Sequence, residues 1–294
     1  MSFLFAIFYG KLLSKFIAFF LLPRPLNGLI TALSVGVGAL TSTGDPTWLP
    51  VLLAALSAAL INGAGNAFND VIDIDIDRIN RPDRPLPSGH LSVGSAKAQI
   101  LVLIVAGCLC GFWLSPGHGL LALAVALLLG IYSIFLKNSL LWGNILVASI
   151  GAIAFFYGAL AIGDIGRAWI PALFAFLFHI GREIVKDIED VTGDQIRGQH
   201  TLPLRWGSAY AALIASLVFL LLIAVTWFPF FTGTYNAAYA FALLPANGLV
   251  LYVLLQLHHQ GAILPDDRLG RLLKFGMFAG LLAIVLGELA FDLN

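Results

Sequence analysis

Charge is what this chain has least of: only 11% of its 294 residues are Asp, Glu, Lys or Arg, against 60% that are hydrophobic. Soluble domains carry about a quarter charged residues and about half apolar. That scarcity, with a mean hydropathy of +0.94, excludes an ordinary water-soluble domain and points to a membrane. Formal net charge is zero, so the chain lacks the basic surface that binding to nucleic acid requires. Cysteine is almost absent. Cys108 and Cys110 stand two residues apart in an apolar run, where a helix points them in different directions, which suits neither a disulfide nor a metal clip. The opening stretch, "MSFLFAIFYGKLLSKFIAFFLLPRP", has embedded lysines and no small-residue cleavage site. It reads as an interfacial helix leading into a first span, not as a removed signal peptide.

What is present is a series of long apolar runs. Nine reach membrane-crossing length, at 25–43, 49–68, 92–114, 119–136, 141–162, 168–186, 208–229, 236–257 and 270–289. The pattern predicts an all-α polytopic bundle of nine transmembrane helices with a cap, and one domain over residues 1–294. With the N-terminus inside, fifteen of the 16 basic residues fall on that side and only Arg167 falls outside. The positive-inside rule then places the N-terminus and the long polar loops in the cytoplasm, at the cell (inner) membrane, with the C-terminus outside.

The acids concentrate more sharply. "NDVIDIDID" (69–77) and "REIVKDIEDVTGD" (182–194) lie in two segments that hold ten of the 16 acidic residues. The first alternates like a strand, but a lone ribbon at a membrane surface leaves unpaired edges, and span two already runs helically into it. On a helix, with Asn69 at zero, Asp73, Asp77 and Asp70 fall at about 40°, 80° and 100°, and Asp75 at about 240°. One face therefore gathers Asn69, Asp70, Asp73 and Asp77, and Asp75 is left out. In the second segment Asp187, Asp190 and Asp194 repeat the i, i+3, i+7 spacing, with Glu183 near their face and Glu189 opposite. Each lies 117 residues after its counterpart, which hints at an internal duplication. Thr192-Gly193 are placed to end this helix early, before Asp194.

Carboxylates crowded onto two faces repel one another unless cations are present. Without His or Cys ligands they suit a hard ion such as Mg²⁺, completed by water and substrate phosphate oxygens. A pair of Mg²⁺ ions holding a diphosphate is the chemistry this predicts, with Asp70, Asp73, Asp77, Asp187, Asp190 and Asp194 as ligands. Arg78, Arg81, Arg84, Lys137, Arg182 and Lys186 are the bases within reach of the remaining phosphate oxygens. Asp75, Asp83, Glu189, Asp266 and Asp267 read as solvated charges, as do Asp45 and Asp164 in the outer loops.

These motifs resemble the UbiA superfamily of intramembrane prenyltransferases. "NDVIDIDIDRINRPDRPLPSG" (69–89) is similar to its first signature, in which Asn69, Asp73 and Asp77 fill an N-x3-D-x3-D core. "YSIFLKNSLLWGNILVA" (132–148) resembles the family's connection between spans four and five, with Lys137 where a lysine meets the diphosphate. "GREIVKDIEDVTGD" (181–194) resembles the second Asp-rich motif, in a spelling like that of the archaeal-type digeranylgeranylglyceryl phosphate synthase group. "RPLN" (24–27) resembles the first-span motif and brings in Arg24 and Asn27, the latter near the second substrate. The resemblance implies transfer of a prenyl group, geranylgeranyl, from its diphosphate with Mg²⁺, the tail lying in a tunnel open to the bilayer. It implies a lipid-soluble acceptor: the hydroxyl of geranylgeranylglyceryl phosphate in this group, an aromatic or tetrapyrrole acceptor in the quinone, tocopherol, haem and chlorophyll branches.

Tyr132 and Tyr157 are candidates to line that tunnel and shield an allylic cation. His179 reads as a hydrogen-bonded interior histidine ahead of a general base. Gly36, Gly38, Gly151 and Gly158 read as sites of close helix packing. A transporter built on inverted repeats would place equivalent motifs on opposite faces, whereas an offset of four spans keeps both on one. A CDP-alcohol phosphotransferase motif continues from D-x2-D into Gly, whereas Asp73 is followed by Ile74-Asp75.

Overall fold

In the computed structural model, residues 14–42, 47–196, 198–259 and 268–289 are described. Lys11, Asp45, Arg197, Asp266, Asp267 and the first part of the expected interfacial helix lie outside them. The described residues are helical, with no strand. The helices are α1 (residues 14–21), α2 (Pro25–Leu40), α3 (Trp48–Ile72), α4 (Ile74–Asn80), α5 (Val93–Leu114) and α6 (Pro116–Ile131). After the π-helical turn Tyr132–Leu136 come α7 (Trp142–Leu160), α8 (Trp169–Glu189), α9 (Val191–Ile196) and α10 (Leu202–Trp206). The chain continues through α11 (Ser208–Phe231), α12 (Ala237–His259) and α13 (Arg268–Leu289).

Each of the nine expected spans coincides with one of these helices. Among the described residues, 8 helical stretches are long and apolar enough to cross a membrane. The sixth expected span, α8, is 21 residues long but carries Arg182, Glu183, Lys186, Asp187 and Glu189 in its second half. Large apolar side chains such as Leu101, Leu109, Trp113 and Phe231 are exposed, as in a protein whose solvent is lipid.

The chain forms two compact units, residues 1–32 with 56–134, and residues 33–55 with 135–294. In the first, Leu22, Ala67, Leu86, Ala96 and Ile100 form a buried cluster. Leu86 is the anchor that ties the polar loop after α4 to the ends of α3 and α5. Helix starts follow local chemistry: the Ser92 hydroxyl accepts from the Ser95 N–H at the head of α5, and Ser115 caps α6 ahead of Pro116. Between α1 and α2 two prolines break the helix. Pro23 has no N–H for the Phe19 carbonyl, and the Gln99 amide of α5 donates to it instead at 2.9 Å. Between the prolines Arg24 takes φ 55°, the only left-handed non-glycine among the described residues.

In the second unit α8 packs against α7, α11 and α13. Gly38 and Gly158 let α2 and α7 touch backbone to backbone, since a Cβ on either would come within 1.9 Å or 1.8 Å of a carbonyl oxygen. Gly151 makes room for the His179 ring. Gly36, by contrast, has nothing within 4 Å, so close packing does not explain it. Far along the chain from the acidic motifs, Arg167 ion-pairs with Glu288, and the Tyr235 hydroxyl donates to the same carboxylate at 2.9 Å.

Candidate active site

The first acidic cluster sits where α3 gives way to α4. Expectation and structure differ in one respect: the helix is not continuous. It breaks for a single residue at Asp73, which takes φ −93°, ψ 7°, the sparsely populated bridge region where active-site residues often sit. The i to i−4 bonds survive on both sides, Asp73 N–H to Asn69 at 2.9 Å and Asp77 N–H to Asp73 at 2.8 Å. The helical face therefore persists through the break.

That face is buried. Asp70, Asp73 and Asp77 are exposed by only 2%, 2% and 5%, while the Asp75 side chain is 86% exposed and pairs with Arg78 at 2.7 Å. Periodicity separates the same residues. It also shows why Arg78 is not brought to the buried acids: nine residues past Asn69 it falls at about 180°, beside Asp75. Arg84 does reach them, from the loop held by Leu86. Its guanidinium lies 2.6 Å from Asp77 and 3.2 Å from Asp70. Arg24 donates to Asp70 as well. Burial pushes the Asp77 carboxyl above the usual range, against the opposing pull of Arg84.

Asn69 donates to Asp73 at 2.8 Å, and its own carbonyl oxygen is buried without a partner. Asn27 points its amide at Asn66 across 3.4 Å, and Asn66 in turn donates to Asn62 at 2.8 Å. Asn62 and Asn66 extend the polar face of α3 deeper into the span; the signal for them was amides at i, i+4 in an apolar run. Tyr132 is half-buried on the π-helical turn that ends α6.

The second cluster repeats the construction. Helix α8 ends at Glu189, Asp190 takes φ −93°, ψ 1°, and α9 begins at Val191. Helix end, break and restart thus match those of the first cluster at the same 117-residue offset. Asp190 N–H bonds Lys186 at 2.9 Å and Asp194 N–H bonds Asp190 at 3.0 Å. The expected early end at Thr192-Gly193 is not found; α9 runs through both to Ile196, and Asp194 is buried. Asp187 accepts a 2.8 Å hydrogen bond from Asn144 in the first turn of α7.

Glu183 is the residue that spacing placed near this face without a role. It is buried and holds both Arg182, at 2.8 Å, and Lys186, at 2.6 Å. Each of these cations therefore has a carboxylate partner. Glu189 turns away, as expected, and its carboxylate accepts from the Leu269 N–H at 2.9 Å and the Gly270 N–H at 3.3 Å, capping α13. Lys137 is half-buried. The next residue, Asn138, accepts from the His200 N–H at 2.8 Å, tying that loop to the one after α9. Tyr157 is buried. His179 differs from expectation: its Nδ1 is buried without a hydrogen-bond partner.

The donor set fits Mg²⁺. It is made of carboxylates and an orphaned amide oxygen, with no soft ligand. Among the described residues no three His, Cys, Asp or Glu side chains are gathered closely enough to cage an ion unaided.

Comparison with known proteins agrees. The UbiA prenyltransferase family model matches residues 28–286. The digeranylgeranylglyceryl phosphate synthase of Metallosphaera sedula is 39% identical over 256 residues, 84% of this chain and 86% of that protein. A solved structure described as giving insight into digeranylgeranylglyceryl phosphate synthase in membranes superposes with a TM-score of 0.71 at 27% identity. It covers 94% of this chain and 99% of that one. A UbiA homologue from Archaeoglobus fulgidus, bound to GPP and Mg²⁺, shares the fold with a TM-score of 0.59 at 16% identity, over 91% and 99% of the two chains. A match across most of the chain, on the motifs just described, establishes the family: this multi-pass membrane protein belongs to the UbiA prenyltransferases and is a prenyltransferase.

Proposed function

We propose that the protein transfers a geranylgeranyl group from its diphosphate to the free hydroxyl of geranylgeranylglyceryl phosphate, forming an ether lipid. The observation that carries the reading is the repeated junction, an Asp triad whose helix breaks at its middle member, at Asp73 and again at Asp190. Two copies on helices four spans apart are expected on one side of the bilayer, and we read that side as cytoplasmic. On this reading all 294 residues work as one catalytic domain.

Asp70, Asp73 and Asp77 would hold one share of the metal, and Asp187, Asp190 and Asp194 the other. Mg²⁺ supplies the charge that steadies a departing diphosphate. Arg24, Arg84, Lys137, Arg182 and Lys186 add hydrogen bonds as negative charge grows on the leaving group. Asn27, with Asn66 behind it, faces the acceptor, and Tyr132 and Tyr157 border the allylic chain. The acceptor is inferred from the synthases that the chain resembles, whose names specify the digeranylgeranylglyceryl phosphate product. The metal and the prenyl diphosphate are supported by the ligands of the Archaeoglobus homologue.

The test is turnover by purified protein in detergent with geranylgeranyl diphosphate and Mg²⁺. The acceptors are geranylgeranylglyceryl phosphate, 4-hydroxybenzoate, homogentisate and a naphthoate. Ether product from the first alone supports the reading. Turnover with only an aromatic acceptor overturns it.

A further inference from the structure

We propose that His179 takes the proton from the acceptor's hydroxyl as the ether bond forms, an assignment that rests on the alcohol-acceptor reading above. His179 lies on α8, and its ring packs against Gly151 of α7, where a Cβ would stand 2.5 Å from its Cδ2. Eight residues further along α8, Asp187 meets Asn144 at 2.8 Å, seven residues before Gly151 on α7. The two contacts therefore run along one α7–α8 seam, about 11–12 Å apart at 1.5 Å per residue. Asp187 is at the end of the span and His179 is deeper.

A diphosphate held through a metal at Asp187 would have its allylic chain directed into the span along this seam, toward His179. The imidazole is also a polar group in search of a partner. Its Nδ1 is buried and unpaired, and buried polar groups almost always have a hydrogen bond. Gly151 opposite it, having no side chain, admits the ring to the seam. One turn toward Asp187 lies the buried Glu183 carboxylate, paired with Arg182 and Lys186.

The step balances without a further reagent. The bond from allylic carbon to diphosphate oxygen breaks with its electron pair on the diphosphate. A lone pair of the acceptor oxygen forms the new carbon–oxygen bond, and the hydroxyl proton passes to the imidazole. That proton leaves afterwards with the diphosphate or to water.

The experiment compares wild type, His179→Gln and His179→Ala with geranylgeranyl diphosphate, Mg²⁺ and two acceptors. One acceptor is geranylgeranylglyceryl phosphate and the other its analogue with a thiol in place of the hydroxyl. A thiol, with a pKa of about 8.5 in free cysteine, gives up its proton far more readily than an alcohol and needs less help. Expected is a kcat loss of about 10²- to 10⁴-fold with the alcohol, an unchanged KM for the diphosphate, and a loss of under about 5-fold with the thiol. Equal losses with both acceptors, as from a structural role, overturn the assignment. So does a fully active His179→Gln. A wild type that alkylates no alcohol overturns the acceptor reading itself, which the wild-type arm alone reveals.

Discussion

Asp73 and Asp75 differ by two positions and by nearly their whole exposure, and two predictions separate their roles. Asp73→Asn or Asp190→Asn is expected to lower turnover by at least about 10²-fold, the scale of a lost electrostatic stabiliser, whereas Asp75→Asn stays within about 2-fold, as an exposed pair should. Steady-state rates of the three variants check this; similar losses in all three would deny the buried face its role. Asp77 adds a pH signature. Its folded pKa is raised, so the native state holds a proton that the unfolded chain releases, and stability falls as pH rises from the ordinary carboxylate range through the raised value. In chelator the melting temperature should decline across that window, and Asp77→Asn should flatten the decline. Asn144 supports Asp187 from a different helix; its replacement by Leu is expected to weaken Mg²⁺-dependent diphosphate binding by about 10- to 100-fold, measured by titration. Much of this scale was legible in the sequence, because the helical period depends on spacing alone and sorts Asp75 from the buried acids, although Arg78, expected at the phosphate oxygens, pairs with Asp75 instead. The same rule cannot find Asn144 or Gln99, whose partners lie far away in the chain, or the reach of Arg84, which depends on how the loop after α4 folds back.

At the scale of elements, the breaks at Asp73 and Asp190 turn a continuous helix into a helix and a short second piece, and each places its middle aspartate in the bridge region. Single-residue breaks leave no mark on hydrophobic periodicity, which is why neither break was expected, and Thr192-Gly193 looked like a stop because both residues are poor helix formers. Contacts from neighbouring residues surround each break. The first is held by the Leu86 cluster and Arg84. The second is followed by an element tied down elsewhere, since Glu189, one residue before the break, caps α13. Loss of that cap in Glu189→Ala is expected to cost about 1 kcal/mol, read as a lower melting temperature in detergent, while the KM for geranylgeranyl diphosphate stays unchanged. A large KM shift with no thermal effect would place Glu189 in the site.

At the scale of the molecule, composition alone gave the solvent, and the spans followed from run length; α8 alone combines span length with a dense charged end. What a single sequence cannot carry is whether two motifs 117 residues apart share one site, the arrangement proposed above. The most direct measurement is binding of geranylgeranyl diphosphate to purified protein with Mn²⁺ replacing Mg²⁺, counted by electron paramagnetic resonance. The expected result is two coupled ions per bound diphosphate, with both the coupling and tight binding lost in Asp73→Asn and equally in Asp190→Asn. Full metal stoichiometry and wild-type affinity in either variant would contradict a site shared by the two acidic junctions.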